Sequence, residues 1–525
     1  MMQSGTDNEN YTSEKGTQST LLYCVAFILL SLYQLLFIRY GLNIWDEGVL
    51  LNGVLRTIDG ETAMKDFIGY PPGRYMWAKF FTDIFGLSIF SIRLSLVPLT
   101  SLMVLAVFVI TKKITNNSFA FIASAMLLST PAVYYNRYFT IFSVFILFFL
   151  VRWIENPKQN NTIYLLLSII FTTIYIKVEV GVLSLTAFVL IYGVKSLFDS
   201  DLKVNYQKIA ITIMLISFLL IILSFNIDLL TFLKYFYSTV FEVFHLWGNP
   251  FPELSEILPT NKDFFDNLHF YLSPLLSFIT ILFFINKTEL LQERKHLILF
   301  AVLVFALFMN FLVVWRAGYD NLLRTLPSYY ILVSWVLYKT YEYGRKHFSL
   351  EKGLYKGALF GMLLLYPATF IFHSTVNHGF YSGSIGELFR EHVPYDSQFG
   401  RVYIEPHHLE PLNFIITTIK ENSTENDTIF AAPINPLWSF FSGRKNASYF
   451  EFVLPSTLTF KKDKNFLLKE LREKKPKLAI ISDISIDGKE DRKFRNYEPE
   501  IFNFFLSHYL PIAKVGTFII FLIRE

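Results

Sequence analysis

Charged residues are scarce in this chain, and a few of them sit where chemistry needs them. Trp45-Asp46-Glu47-Gly48 follows the first long apolar run, and Asp66-Phe67-Ile68-Gly69-Tyr70-Pro71-Pro72-Gly73-Arg74-Tyr75 comes soon after. Between them, Val49, Leu50, Val54, Leu55 and Ile58 recur at helical spacing. This predicts a helix over 48–58 lying in the membrane interface, with Asp46 and Glu47 at its N-terminal end. Carboxylates there satisfy free amides and answer the helix dipole. A carboxylate at the mouth of a membrane cavity is also suited to act as a general base, because a low local dielectric raises its proton affinity toward neutrality. Pro71-Pro72 enforces extended geometry, and Gly73 to Phe85 resumes an amphipathic helical pattern, so the bend is expected to hold Asp66 and Arg74 rigidly. A loop that merely turns at the membrane surface accounts for the prolines, but less well for the charged and aromatic residues around them.

Further charges stand at the ends of apolar runs. They are Arg137 in Tyr134-Tyr135-Asn136-Arg137-Tyr138, Lys177 and Glu179 in Lys177-Val178-Glu179-Val180-Gly181, and Arg316, Asp320 and Arg324 in one short turn. Ionisable groups at membrane depth are costly and tend to face a cavity or a partner, which makes all of them functional candidates. Snorkelling to lipid headgroups is the alternative for Arg137, and mutual pairing the alternative for Lys177 with Glu179.

The elements that position these residues follow from composition. Of 525 residues, 53% are hydrophobic and 17% charged, with a mean hydropathy of +0.40. That is too apolar for an ordinary soluble enzyme and excludes intrinsic disorder. A net charge of +4 gives no basic surface for nucleic acid. The single cysteine, Cys24, excludes an internal disulfide and a cysteine-based metal site. Eleven apolar runs predict a polytopic α-helical membrane protein: Leu21–Ile38, read as a retained first helix, then runs beginning at Ile89, Phe119, Phe139, Ile163, Val180, Ile209, Tyr271, Leu297, Pro327 and Leu354. Lys112 with Lys113, Arg152 with Lys158, Lys195 with Lys203 and Lys208, Lys287 with Arg294 and Lys295, and Arg345 with Lys346 fall in every second connection. The alternation predicts a cytoplasmic tail over 1–20, a membrane domain over 21–373, and external loops at 40–88 and 226–270. After His373 the pattern changes to short β-like runs (Thr428–Ala432, Leu478–Ser482, Ala513–Val515, Thr517–Ile523) with helical stretches near Phe466–Lys474 and Ile501–Tyr509. Residues 374–525 are therefore expected to form an external soluble α/β domain. The chain shows neither a fixed-period repeat nor paired interrupted helices.

Trp45-Asp46-Glu47-Gly48 after the first span, Asp66-Phe67, Tyr70-Pro71-Pro72-Gly73 and Arg93 at the next span together resemble the GT-C membrane glycosyltransferases. Within these the chain is most similar to the protein O-mannosyltransferases, aminoarabinose transferases and lipopolysaccharide-core galacturonosyltransferases. The resemblance is strongest over Tyr40–Thr140. It implies that Asp46 is the catalytic carboxylate with Glu47 its neighbour, and that the donor is a sugar on a polyprenyl phosphate. A departing lipid phosphate needs cationic donors, and Arg makes bidentate contacts to its oxygens. Arg316 and Arg324 are the preferred pair, followed by Lys177 and Arg137, while Asp66, Tyr70, Arg74, Glu179 and Asp320 would position substrate.

Other signals carry less. Adjacent His407 and His408 in Glu405-Pro406-His407-His408 make a poor tetrahedral set, so that stretch reads as an exposed loop and no metal is assigned. Asp46 with Glu47 could take a divalent ion through oxygen, but two neighbouring carboxylates do not specify one. Sequons begin at Asn422, Asn426 and Asn446, and His245 and Trp247 line an acceptor groove or anchor a loop at the interface. The expectation is an integral protein of the plasma (inner) membrane that moves a sugar from the lipid carrier to a glycan, lipid or protein acceptor. It acts on the external side by inverting displacement, with loop 226–270 as a lid. The rival from another class is a transporter or flippase of a lipid-linked or anionic substrate, in which the same charges line a path.

Overall fold

The computed structural model describes residues 6–524 apart from 199–213, 215–226, 239–240, 242–247, 259–262, 286, 348–352, 377–382, 435, 456 and 459–460. The expected run Ile209–Phe225, with Lys203, Lys208, His245 and Trp247, therefore lies outside the described residues.

The chain opens with α1 (Thr6–Leu35), followed by α2 (Glu47–Ile58) and α3 (Gly73–Phe85). Then come α4 (Ile89–Leu94), α5 (Leu96–Ile114), α6 (Asn117–Ser129), α7 (Arg137–Glu155), α8 (Gln159–Phe171) and α9 (Val178–Phe198). After α10 (Leu229–Tyr237) the membrane unit continues with α11 (Phe264–Ile285), α12 (Arg294–Trp315), α13 (Tyr319–His347) and α14 (Gly353–Val376). Among the described residues six helices are long and apolar enough to cross a membrane, and three shorter apolar ones accompany them. Ten of the eleven expected runs thus fall on described helices. The expected helices of the first external loop are both present. α2 buries Val49, Leu50, Leu51 and Val54 against protein, whereas α3 leaves Met76, Phe80, Ile84 and Phe85 exposed along one side.

Beyond α14 the chain forms a hairpin, β1 (Val393–Ser397) with β2 (Gly400–Ile404), and then α15 (Pro406–Glu421). The remainder is an α/β unit made of β3 (Thr428–Ala432), α16 (Leu437–Ser442), β4 (Lys445–Asn446), α17 (Lys461–Lys474), β5 (Leu478–Ser482), α18 (Phe494–Tyr497), α19 (Pro499–His508), β6 (Tyr509–Val515) and β7 (Phe518–Ile523). Its sheet runs β4-β3-β5-β7-β6, parallel over the first three strands and antiparallel over the last pairs. β5 is buried along its whole length, as its uninterrupted apolar run requires of a central strand. The β1–β2 hairpin and α15 are absent from the sequence reading, because their burial is uneven and no alternation marks them.

This unit is stitched to the first external loop. Gly41 N donates to Tyr403 O at 2.8 Å and Tyr403 N to Arg39 O at 2.8 Å, so the end of the first span extends the hairpin. Ile68 N donates to Tyr449 O and Glu451 N to Ile68 O at 2.7 and 2.8 Å. Buried Glu451 accepts from Arg56 at 2.6 Å and from Asn52 at 2.8 Å, both on α2. α2 and α16 cross so closely that a Cβ on Gly48 would lie 2.4 Å from Leu437 N, so glycine is required there.

A local pair just before β1, His392 with buried Glu387 at 3.0 Å, is pH-sensitive. Arg390 also reaches Glu387 at 3.2 Å, and the Tyr40 ring meets His392 edge-on. The hydrogen bond to Glu387 raises the pKa of His392, outweighing burial, which lowers it. A raised folded pKa gives stability that is complete below the unfolded value of about 6.5 and is lost as pH rises through the folded value. The melting-temperature advantage of wild type over His392→Gln is therefore expected to be largest near pH 5.5 and to shrink by pH 9. An advantage that is flat or grows with pH would contradict this.

Candidate active site

Three breaks in the helices bring charges to one place. α8 ends in a π-turn, Thr172–Ile176, after which Lys177 is extended (φ −162°, ψ 115°) and α9 starts afresh. The interruption leaves Lys177 and Glu179 at a helix end, as ionisable groups at membrane depth require. α12 ends at Arg316, which is also extended, with its carbonyl accepting from Asn321 at 2.9 Å, before α13 carries Asp320 and Arg324. Asp46 stands at the N-cap of α2 but makes no side-chain capping bond. Asn43 holds the turn that leads into the helix, accepting from Trp45 N and Asp46 N, each at 2.9 Å. Asp46 thus keeps the N-cap position expected of it, without the hydrogen bond to free amides.

These breaks open on one cavity of about 760 Å³, whose lining includes Asp46, Tyr70, Lys177, Glu179, Arg316 and Arg324. Phe139 organises the cations, since Lys177 Nζ lies 5.1 Å and the Arg324 guanidinium 5.4 Å from its ring centre. An aromatic ring attracts nearby cations through its quadrupole, which helps to hold both on this wall. Lys177 also meets Glu179 at 2.8 Å, so the pairing alternative holds, and both residues still face the cavity. Arg316 reaches Asp487 of the C-terminal unit at 3.1 Å. Tyr70 rests on Arg74, with the guanidinium 4.0 Å from its ring centre, and burial raises the pKa of its hydroxyl. Asp46 and Glu179 thus line one cavity with Lys177, Arg316 and Arg324, and a carboxylate near cations suits proton removal beside a developing anion.

Four of the other predicted residues lie elsewhere. Glu47 is fully buried and takes two hydrogen bonds from Arg93, at 2.7 and 2.8 Å. Arg93 also donates to the carbonyls of Ile38, Tyr40 and Gly41, so this pair fixes the turn between α1 and α2. Arg74 is buried behind Tyr70 and donates to Tyr135 O at 2.7 Å and Ile176 O at 3.3 Å, tying α3 to the π-turn. Arg137 is buried with Arg93 and Tyr134 around a separate small cavity. Asp66 is exposed and accepts from Thr62 N at 2.8 Å, closing its own loop. Asp320 lies in the first turn of α13, and its side chain is outside the described part of the structure. The rigid bend holds Arg74 but not Asp66.

Sequence reasoning missed the wall supplied by α10 and the C-terminal unit: Thr231, Lys234, Tyr235, Tyr449, Asp463 and Asp487 among others. No local signal marks these residues, because they meet the membrane helices across long stretches of chain, 171 positions for Asp487 and Arg316. The stretch expected as an exposed loop at Glu405 is instead the start of α15, where ligand atoms of Glu405, His407 and His408 come within 4.8 Å of one another.

The fold and the cavity define an integral membrane protein with a charged site between its helices and a sheet-containing C-terminal unit. Residues 70–223 match the family described as dolichyl-phosphate-mannose-protein mannosyltransferase. That match bears out the resemblance to GT-C glycosyltransferases. Among solved structures the chain is similar to ArnT from Cupriavidus metallidurans in the apo state, with 11% identity and a TM-score of 0.49 over 97% of this chain and 98% of that one. ArnT bound to undecaprenyl phosphate gives 12% and 0.47 over 96% and 98%. The oligosaccharyltransferase AglB from Archaeoglobus fulgidus, in complex with an inhibitory peptide and a dolichol-phosphate, gives 10% and 0.47 over 95% and 74%. No curated protein matches the chain at a significant level.

Proposed function

We propose that the protein transfers a sugar from a polyprenyl-phosphate carrier to an acceptor hydroxyl on the external face of the plasma membrane. One observation carries this reading: Asp46 and the cations Lys177, Arg316 and Arg324 line the same cavity. The family matched over 70–223 is described by its lipid-phosphate sugar donor, which supports the donor class. Asp46 takes the proton of the acceptor hydroxyl as its oxygen attacks the anomeric carbon. The bond from that carbon to the phosphate oxygen breaks, the phosphate keeps the electron pair, and the three cations stabilise its added charge. Glu47 and Arg74 act indirectly, Glu47 through Arg93 on the turn that carries Asp46, and Arg74 beneath Tyr70. A single displacement inverts the anomeric centre. The test is the configuration of the product by NMR after reaction of purified protein with a polyprenyl-phosphate sugar of known anomer. Inversion is expected, and retention would contradict a one-step mechanism with Asp46 as base.

A further inference from the structure

Part of the cavity wall is made of Thr231, Lys234 and Tyr235 of α10 with Tyr449, Asp463 and Phe466, which the transfer mechanism leaves unused. Phe466 opens α17's outer side with 46% of its surface exposed, although Leu467 and Leu471 on the same helix are buried. Its ring meets that of Tyr449 edge-on, with centroids 5.6 Å apart at 78°. The two form an aromatic corner on a wall that water reaches. Beside it Lys234 of α10 and Asp463 of α17 face one another at 3.6 Å, both partly exposed. That spacing is beyond hydrogen-bond reach, so each head group keeps capacity for a third party.

We infer that this corner is the acceptor subsite and that it takes a carbohydrate, an inference that rests on the proposed glycosyl transfer. The C–H faces of a pyranose pack on aromatic rings, and an ammonium and a carboxylate side by side satisfy neighbouring hydroxyls as donor and acceptor. A peptide fits this wall less well. Extended peptides are commonly held by main-chain pairing with an open strand, and the main chain here is already used. Tyr449 O and Glu451 N pair with Ile68, Tyr449 N donates to Glu470 at 2.8 Å, and Phe450 N donates to Ser448 at 2.9 Å. What the wall still offers is side chains of the kind that reads sugars.

The test uses the full-length protein in nanodiscs with a radiolabelled polyprenyl-phosphate sugar. Three acceptors are compared: soluble methyl hexopyranosides, a glycolipid bearing the same hexose, and a decapeptide containing Ser and Thr. Label is expected on the sugar acceptors and not on the peptide. Preference between the first two distinguishes a free glycan from a lipid-borne one. Phe466→Ala and Asp463→Asn are each expected to raise the acceptor KM about tenfold, the size of one lost aromatic or charged contact, with the donor KM within about twofold. Phe466→Tyr, which keeps the ring face, is expected to retain the wild-type acceptor KM. Transfer to the peptide alone, or an acceptor KM unmoved by both substitutions, would overturn the carbohydrate subsite and leave glycosyl transfer standing. Failure of wild type to release polyprenyl phosphate with any acceptor would overturn both.

Discussion

Asp46→Asn is expected to lower kcat by about 10²–10⁴-fold, the usual contribution of a positioned base, with the melting temperature unchanged. The two halves of this result have separate causes. Loss of rate follows because Asn cannot take a proton, while Arg316, Arg324 and Lys177 still hold the phosphate, so the donor KM stays near its wild-type value. Stability is spared because the substitution is isosteric and the turn is held by Asn43, which accepts from the Trp45 and Asp46 amides. A variant keeping more than a tenth of wild-type kcat would remove Asp46 as the base. A large fall in melting temperature would return it to the structural role that the sequence alone also allows.

The neighbouring carboxylate is expected to behave in the opposite way. Arg93→Leu strands the fully buried Glu47 charge, and removing one partner of such a pair costs about 3–5 kcal/mol. Replacing Glu47 as well removes the stranded charge, so Glu47→Gln/Arg93→Leu is expected to be more stable than Arg93→Leu alone. It does not regain wild-type stability, because Arg93 also satisfies the carbonyls of Ile38, Tyr40 and Gly41. Thermal melts of the wild type, both single variants and the double variant in one detergent measure the cycle. A double variant no better than Arg93→Leu would show that the pair contributes nothing specific.

Adjacent residues with such different fates show where sequence reading stops. Charges interrupting apolar runs could be found from hydropathy alone, and Lys177, Glu179, Arg316 and Arg324 do face the cavity. Arg137 carries the same signal and is buried elsewhere, since membrane-depth charge marks a need for partners and not which partners. Asp46 and Glu47 differ by one position, which is about 100° around a helix, and only the path of α1 into α2 decides which of them meets Arg93. The strands β3 and β5 were legible from their compact apolar runs. The contacts of Glu451 with Arg56 and Asn52 join positions about 400 residues apart, and no periodicity records them.

The central claim is that a bond to the lipid carrier is broken in this cavity. The direct measurement is mass spectrometry of the carrier after purified protein in sealed proteoliposomes is incubated with a polyprenyl-phosphate sugar and acceptor. Conversion to polyprenyl phosphate by wild type, lost in Asp46→Asn and in Arg324→Ala, is the predicted result. Intact donor crossing to the opposite leaflet, with no polyprenyl phosphate formed, would contradict it and assign the same charges to a transport path.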